Sequence, residues 1–104
     1  MKEFNEKYNT NIEDIDIKEL KLKEQYIGDE GLKDLVKINF NNLKELDLSQ
    51  NNISDINILE QVDFKKLEIL YLHGNKISDI NILAKVDFKE LKVLYLSYNK
   101  ISNI

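Results

Sequence analysis

The sequence predicts an α/β solenoid, with a curved parallel β-sheet on its concave side and short helices or 3-10 turns on its convex side. Three observations lead there. Leucines at 43, 67 and 91 recur at a spacing of 24 residues with no gap. Each copy opens on alternating residues, as in Leu67-Glu68-Ile69-Leu70-Tyr71-Leu72-His73, where Leu70 and Leu72 point one way and Ile69, Tyr71 and His73 the other. Each full copy then closes on apolar residues three apart. A unit of this length cannot bury its apolar face alone, so successive copies stack and share a continuous core.

The copies read LKELDLSQNNISDINILEQVDFKK over 43–66, LEILYLHGNKISDINILAKVDFKE over 67–90 and LKVLYLSYNKISNI over 91–104. Together they resemble the leucine-rich-repeat family, whose pattern is L-x-x-L-x-L-x-x-N-x-I/L. The matching residues are Leu43, Leu46, Leu48, Asn51 and Ile53, then Leu67, Leu70, Leu72, Asn75 and Ile77, then Leu91, Leu94, Leu96, Asn99 and Ile101. A divergent copy over 17–42 offers Ile17, Leu20, Leu22 and Ile27, with Gln25 in the asparagine place. Its second half resembles the ribonuclease-inhibitor type of repeat, and the Asn-x-Ile-Ser-Asp-Ile runs resemble the family's intracellular regulatory branch. The resemblance implies that the asparagines bond the backbone of adjacent turns, a protein-binding rather than catalytic role, and a cytoplasmic or otherwise intracellular setting.

Element by element, residues 1–16 lie outside the repeat. Phe4 and Tyr8 are four apart, with Ile12 and Ile15 following, and the segment reads as an N-terminal cap containing a short helix. Residues 17–104 form the repeat domain: 17–42, 43–66, 67–90 and an incomplete 91–104. Asp29 is expected to cap a helix whose Leu32, Leu35 and Val36 share one face, with Gly28 and Gly31 in the turn before it. The return paths Ile53, Ile56, Leu59, Val62, Phe64 and Ile77, Ile80, Leu83, Val86, Phe88 suit a short helix or 3-10 turn facing the sheet. At the C-terminal end Leu91, Leu94, Leu96, Ile101 and Ile104 lack a following turn. A longer native chain or an end-to-end homodimer would cover them.

The chain is 104 residues long, 42% hydrophobic and 33% charged, within the range of a folded domain. It contains no cysteine, which excludes disulfides, thiolate nucleophiles and cysteine metal sites. The net charge of −4 is mixed along the chain without a basic stripe, so nucleic acid and anionic membrane are not expected partners. No signal peptide is recognisable at the N-terminus, and no cofactor or metal site is expected. Glu13, Asp14 and Asp16 lack calcium-loop spacing and read as a solvated cap. Asn52-Ile53-Ser54 matches a glycosylation sequon, but Ile53 is a core position.

Function is expected on the concave face. Between the two full copies the core positions are identical, and Ser54-Asp55-Ile56-Asn57-Ile58-Leu59 recurs as Ser78-Asp79-Ile80-Asn81-Ile82-Leu83. The outward positions differ: Glu45 against Ile69, Asp47 against Tyr71, Ser49 against His73 and Gln50 against Gly74. Strands in register place Ile69 beside Val93 and Tyr71 beside Tyr95. The expected protein-binding residues are Glu45, Asp47, Ile69, Tyr71, His73, Val93, Tyr95, Ser97 and Tyr98, an aliphatic and aromatic patch rimmed by charge. The same residues would also stabilise a sheet through cross-strand packing alone. A row of Asp47, His73 and Ser97 can be drawn, but a flat sheet lacks an oxyanion hole and does not exclude water, so no catalysis is expected. The alternative function is a structural one, self-assembly through the C-terminal end and the tyrosine patch.

Overall fold

Four three-residue strands carry the architecture: β1 (Glu19–Lys21), β2 (Glu45–Asp47), β3 (Ile69–Tyr71) and β4 (Val93–Tyr95). A computed structural model describes residues 1–62 and 64–102. The strands form one parallel sheet in the order β1-β2-β3-β4. Leu20, Leu46, Leu70 and Leu94 stand in register across it, as do Lys21, Asp47, Tyr71 and Tyr95. The leucines return after 24 residues from β2 onward, and the longer first repeat takes up its two extra residues outside the sheet, so each turn lays its strand beside the previous one in the same register.

The ladder continues past the strand ends. Leu48 N–H donates to Tyr71 O at 2.9 Å and Gln50 N–H to His73 O at 3.1 Å, and the next turn repeats this with Leu72 on Tyr95 at 2.9 Å and Gly74 on Ser97 at 3.0 Å. The chain then leaves the sheet through a left-handed residue in every repeat: Glu24, Gln50, Gly74 and Tyr98 all have φ between 56° and 71°. Only one of the four is glycine. The other three hold a conformation that costs an L-residue about 1–2 kcal/mol, imposed by the ladder on either side.

The asparagines form a second, buried ladder. Asn75 Oδ1 accepts from Asn51 N at 2.9 Å and Ile53 N at 3.0 Å, while its Nδ2 donates to Leu48 O and Leu72 O at 3.0 Å. Asn51 does the same one turn earlier, accepting from Gln25 N and donating to Leu22 O. Each asparagine therefore satisfies the turn before its own. Gln25 stands in the first repeat, where there is no earlier turn to serve, and its side chain reaches only Lys23 O at 3.4 Å.

The core runs between sheet and return paths. Leu43, Leu46, Leu48, Ile53, Leu67, Leu70, Leu72 and Ile77 are wholly buried or nearly so. The return paths form 3-10 turns at Asn57–Gln61 and Asn81–Ala84. Each opens on an Asx turn, Asn57 N–H to Asp55 Oδ1 and Asn81 N–H to Asp79 Oδ1, both at 2.9 Å. In the second turn Ile82 is buried and Ile80 and Leu83 only half-buried, whereas Ile56 and Leu59 are buried in the first. Leu91, Leu94, Leu96 and Ile101 are half-buried. Ile104 lies outside the described residues.

The first return path is an α-helix, α2 (Gly28–Leu35), covered by an N-terminal helix, α1 (Lys2–Tyr8). Phe4 and Ile12 join the core, and the Phe4 and Tyr8 rings lie 4.6 Å apart. Ile15 departs from expectation, being 38% exposed. Tyr8 donates its hydroxyl to Asp34 at 2.7 Å, and Lys7 reaches Glu30 at 2.8 Å. Asn5 pins the connection, accepting from Ile12 N and donating to Ile12 O.

Two expectations around α2 are corrected. Asp29 does not cap its own helix: its carboxylate accepts from Ser54 N at 2.8 Å, Ser54 Oγ at 2.6 Å and Asp55 N at 3.0 Å, clamping the first repeat to the second. Three donors one repeat away hold the carboxylate, and at the helix end the Gly28 and Gly31 amides already donate to Asn51 O and Ile27 O. Gly31 is not in a turn before the helix but inside it. A Cβ there would sit 2.5 Å from Ile27 Cβ and 3.2 Å from Tyr8 Cε1, so glycine lets α1 approach α2.

Candidate functional site: the concave face

The outward side chains of β3 and β4 meet in the expected pairs. Ile69 is in register with Val93 and Tyr71 with Tyr95. The two tyrosine rings stack with centroids 4.9 Å apart and planes 9° from parallel. His73 stands edge-on to both, 6.1 Å from Tyr71 and 6.2 Å from Tyr95. Strand spacing sets this stack: equivalent side chains on neighbouring parallel strands are held at about the distance at which aromatic rings meet face to face.

Exposure grows toward the last strand. Ile69 and Tyr71 are half-buried, Val93 and Tyr95 are exposed at 36% and 44%, and Tyr98 is 87% exposed on its left-handed turn. Ser97 is exposed beside it. The apolar patch is thus weighted to β4, whose ring faces have a neighbour on one side. Tyr26, in the exit turn of the first repeat, is 81% exposed with φ 55° and was not singled out from the sequence. Its position corresponds to Asn52 and the lysines 76 and 100 of later copies, so the only signal was an aromatic among polar equivalents.

On the other half of the face Glu45 and Asp47 are half-buried on β2. They neighbour Glu19 and Lys21 of β1, which lie 4.0 Å apart. A shallow concavity of about 280 Å³ is lined by Leu20, Lys21, Glu45, Asp47 and Tyr71. Tyr71's phenol is held above its ordinary pKa, first by desolvation and then by Glu45, Tyr95, Asp47 and Glu19. At the entry to the strands Glu68 sits between Lys44 at 4.0 Å and Lys92 at 3.6 Å, exposed pairs that contribute at most about 1 kcal/mol each.

Ser49 keeps the face assigned to its row but is not accessible on it. It is wholly buried, with its hydroxyl on Asp47 Oδ1 at 2.6 Å and its N–H on the same oxygen at 2.9 Å. The short side chain is satisfied by the residue two before it and needs no water. This bond also engages Asp47 away from His73. His73 Nδ1 is buried with no hydrogen-bond partner among the described residues. The row of Asp47, His73 and Ser97 therefore contains no hydrogen-bonded base and orienting carboxylate.

Among the described residues no helix is long and apolar enough to cross a membrane. No group of three or more metal-ligating side chains occurs among them. No curated protein matches the chain. Residues 41–85 match the family model described as leucine rich repeats (2 copies). The spacing, register and asparagine ladder of that stretch continue into β4, so the chain carries leucine-rich repeats, and domains built of such repeats generally mediate protein–protein interaction.

Proposed function

We propose that the chain is a protein-interaction module that holds its partner on the concave face, across Glu45, Asp47, Ile69, Tyr71, His73, Val93, Tyr95, Ser97 and Tyr98. The observation that carries this reading is the stacked Tyr71–Tyr95 pair continuing the Ile69–Val93 row. A rigid aromatic pair beside aliphatic side chains offers area and phenolic hydrogen bonding at low entropic cost. The core residues are the same in the two full copies, while Glu45, Asp47 and Ser49 of the first give way to Ile69, Tyr71 and His73 in the second. The role is binding rather than catalysis, in keeping with Asp47 being bonded to Ser49.

Capture from a lysate of the source organism tests this, using the native chain, a Tyr71→Ala/Tyr95→Ala variant and a convex-side Lys85→Ala variant. The native and convex variants should retain the same protein, and the tyrosine variant should lose it while its circular dichroism stays native. Equal capture by the folded tyrosine variant overturns the reading.

A second reading is self-association through the last turn. Leu91, Leu94 and Leu96 are half-buried, whereas their counterparts Leu67, Leu70 and Leu72 are wholly buried. Light scattering at high concentration tests it: a dimer lost on Leu94→Lys supports it, and a monomer refutes it.

A further inference from the structure

Tyr71 has two ring faces. One lies on Tyr95, and the other borders the 280 Å³ concavity whose remaining polar lining is Lys21, Glu45 and Asp47. Glu45 donates its backbone N–H to Lys18 O, but among the described residues its carboxylate makes no hydrogen bond or ion pair. Asp47 spends Oδ1 on Ser49 and leaves Oδ2 without a partner among the same residues. The one cation of the lining, Lys21, lies within 4.0 Å of Glu19. The concavity thus joins an open aromatic face to two half-buried carboxylates whose charge is not neutralised within the chain.

We propose that this concavity receives an arginine or lysine side chain of the partner protein, with an adjoining aliphatic side chain on Ile69 and Val93. The inference rests on the concave-face reading and names the chemistry of its occupant. A ring quadrupole and a carboxylate each attract a cation, and partial burial reduces the screening that weakens such attraction in water. A guanidinium suits the site best, because it stacks on Tyr71 while its N–H groups reach a carboxylate. An acidic side chain would instead meet two like charges, and a neutral one would leave them unpaired. The Tyr71 phenol is raised first by desolvation and, after it, by the neighbouring Glu45, Tyr95, Asp47 and Glu19.

The test is a nitrogen-15 NMR titration of the whole chain with three probe peptides: acetyl-Leu-Arg-Leu-Arg-Leu-amide, its citrulline isostere and its glutamate counterpart. The arginine peptide should shift the amides of Glu45, Asp47 and Tyr71 saturably. The citrulline peptide should bind more weakly by a factor of about five or more, and the glutamate peptide should shift none of them. Glu45→Gln with Asp47→Asn, which keeps an acceptor for Ser49, should weaken the arginine peptide by a similar factor. Equal binding of the citrulline or glutamate peptide at these amides overturns the cation assignment and leaves the concave face as a docking surface. Absence of shifts at Glu45, Asp47 and Tyr71 with the arginine peptide also overturns it. The concave-face reading itself stands or falls separately, on the tyrosine-dependent capture.

Discussion

Replacing Asn75 with alanine should cost about 3 kcal/mol, and the figure follows from counting what the side chain serves. Asn51 N and Ile53 N lose the acceptor Oδ1, at 2.9 and 3.0 Å, and Leu48 O loses the donor Nδ2 at 3.0 Å. Leu72 O keeps a donor from Asn99 at 2.9 Å. Three buried groups are therefore orphaned. Each costs about 1–3 kcal/mol, and water entering the vacated space holds the cost near the lower figure. With a urea slope of about 1.5 kcal/mol/M, the midpoint should fall by about 2 M. Two variants calibrate the result. Lys76→Ala removes an exposed side chain and should stay within about 0.5 kcal/mol of native. Asn99→Ala should cost about half as much as Asn75→Ala, because Asn99 is half-buried and among the described residues its Oδ1 accepts only from Ile77 N at 3.0 Å. Urea unfolding followed by circular dichroism measures all three. If Asn75→Ala falls within 1 kcal/mol of Lys76→Ala, or costs no more than Asn99→Ala, the reasoning that the ladder stabilises the stack by satisfying buried amides is wrong.

Asp29 makes stability depend on acid. Burial opposes its ionisation, but the N–H of Asp55 and the hydroxyl and N–H of Ser54 outweigh this and hold its carboxyl below the usual 3.8. The clamp is then fully present above the unfolded-state value and is lost as pH falls through the lower folded value; Asp29→Asn should flatten the acid limb of a stability-versus-pH curve, and an unchanged limb would refute the assignment. The two helix glycines should separate. Gly31→Ala forces a Cβ to within 2.5 Å of Ile27 and should cost about 1–3 kcal/mol, whereas Gly28→Ala enters open space and costs only the strain of φ +61°, about 1–2 kcal/mol. Thermal melts of both variants check this; a Gly31→Ala melt at or above that of Gly28→Ala contradicts the close packing of Ile27 and Tyr8 around Gly31. Phe4→Ala should cost about 3–4 kcal/mol by emptying a buried site, and hydrogen exchange should show α1 opening first. Protection of α1 equal to native would show that Phe4 does not anchor it.

Much of the site was legible because the repeat is strict. With leucines returning at a constant spacing, any outward position has its neighbour on the next strand in the same column, so the Ile69–Val93 and Tyr71–Tyr95 pairs follow from alignment alone. Less legible was the exit from the strand. Glu24, Gln50 and Tyr98 share a left-handed place with Gly74, yet carry no glycine to mark it. Ser49 was misread as an accessible position because alternation fixes the face of a side chain and not its cover: its hydroxyl lies on the same face as Asp47, yet the short side chain is wholly buried there.

The sequence by itself determined the repeat, the leucine column that turns inward and the asparagine that follows each strand. These are properties of one turn multiplied, and a side chain's face within a turn depends only on its neighbours in the chain. Tertiary structure alone decided that Asp29 clamps Ser54, that Gly31 admits α1 and that Tyr71 keeps one ring face open toward Glu45 and Asp47. Each joins residues a repeat or more apart. Their contact depends on the pitch between turns and on rotamers chosen against the neighbouring turn, and no local pattern encodes either.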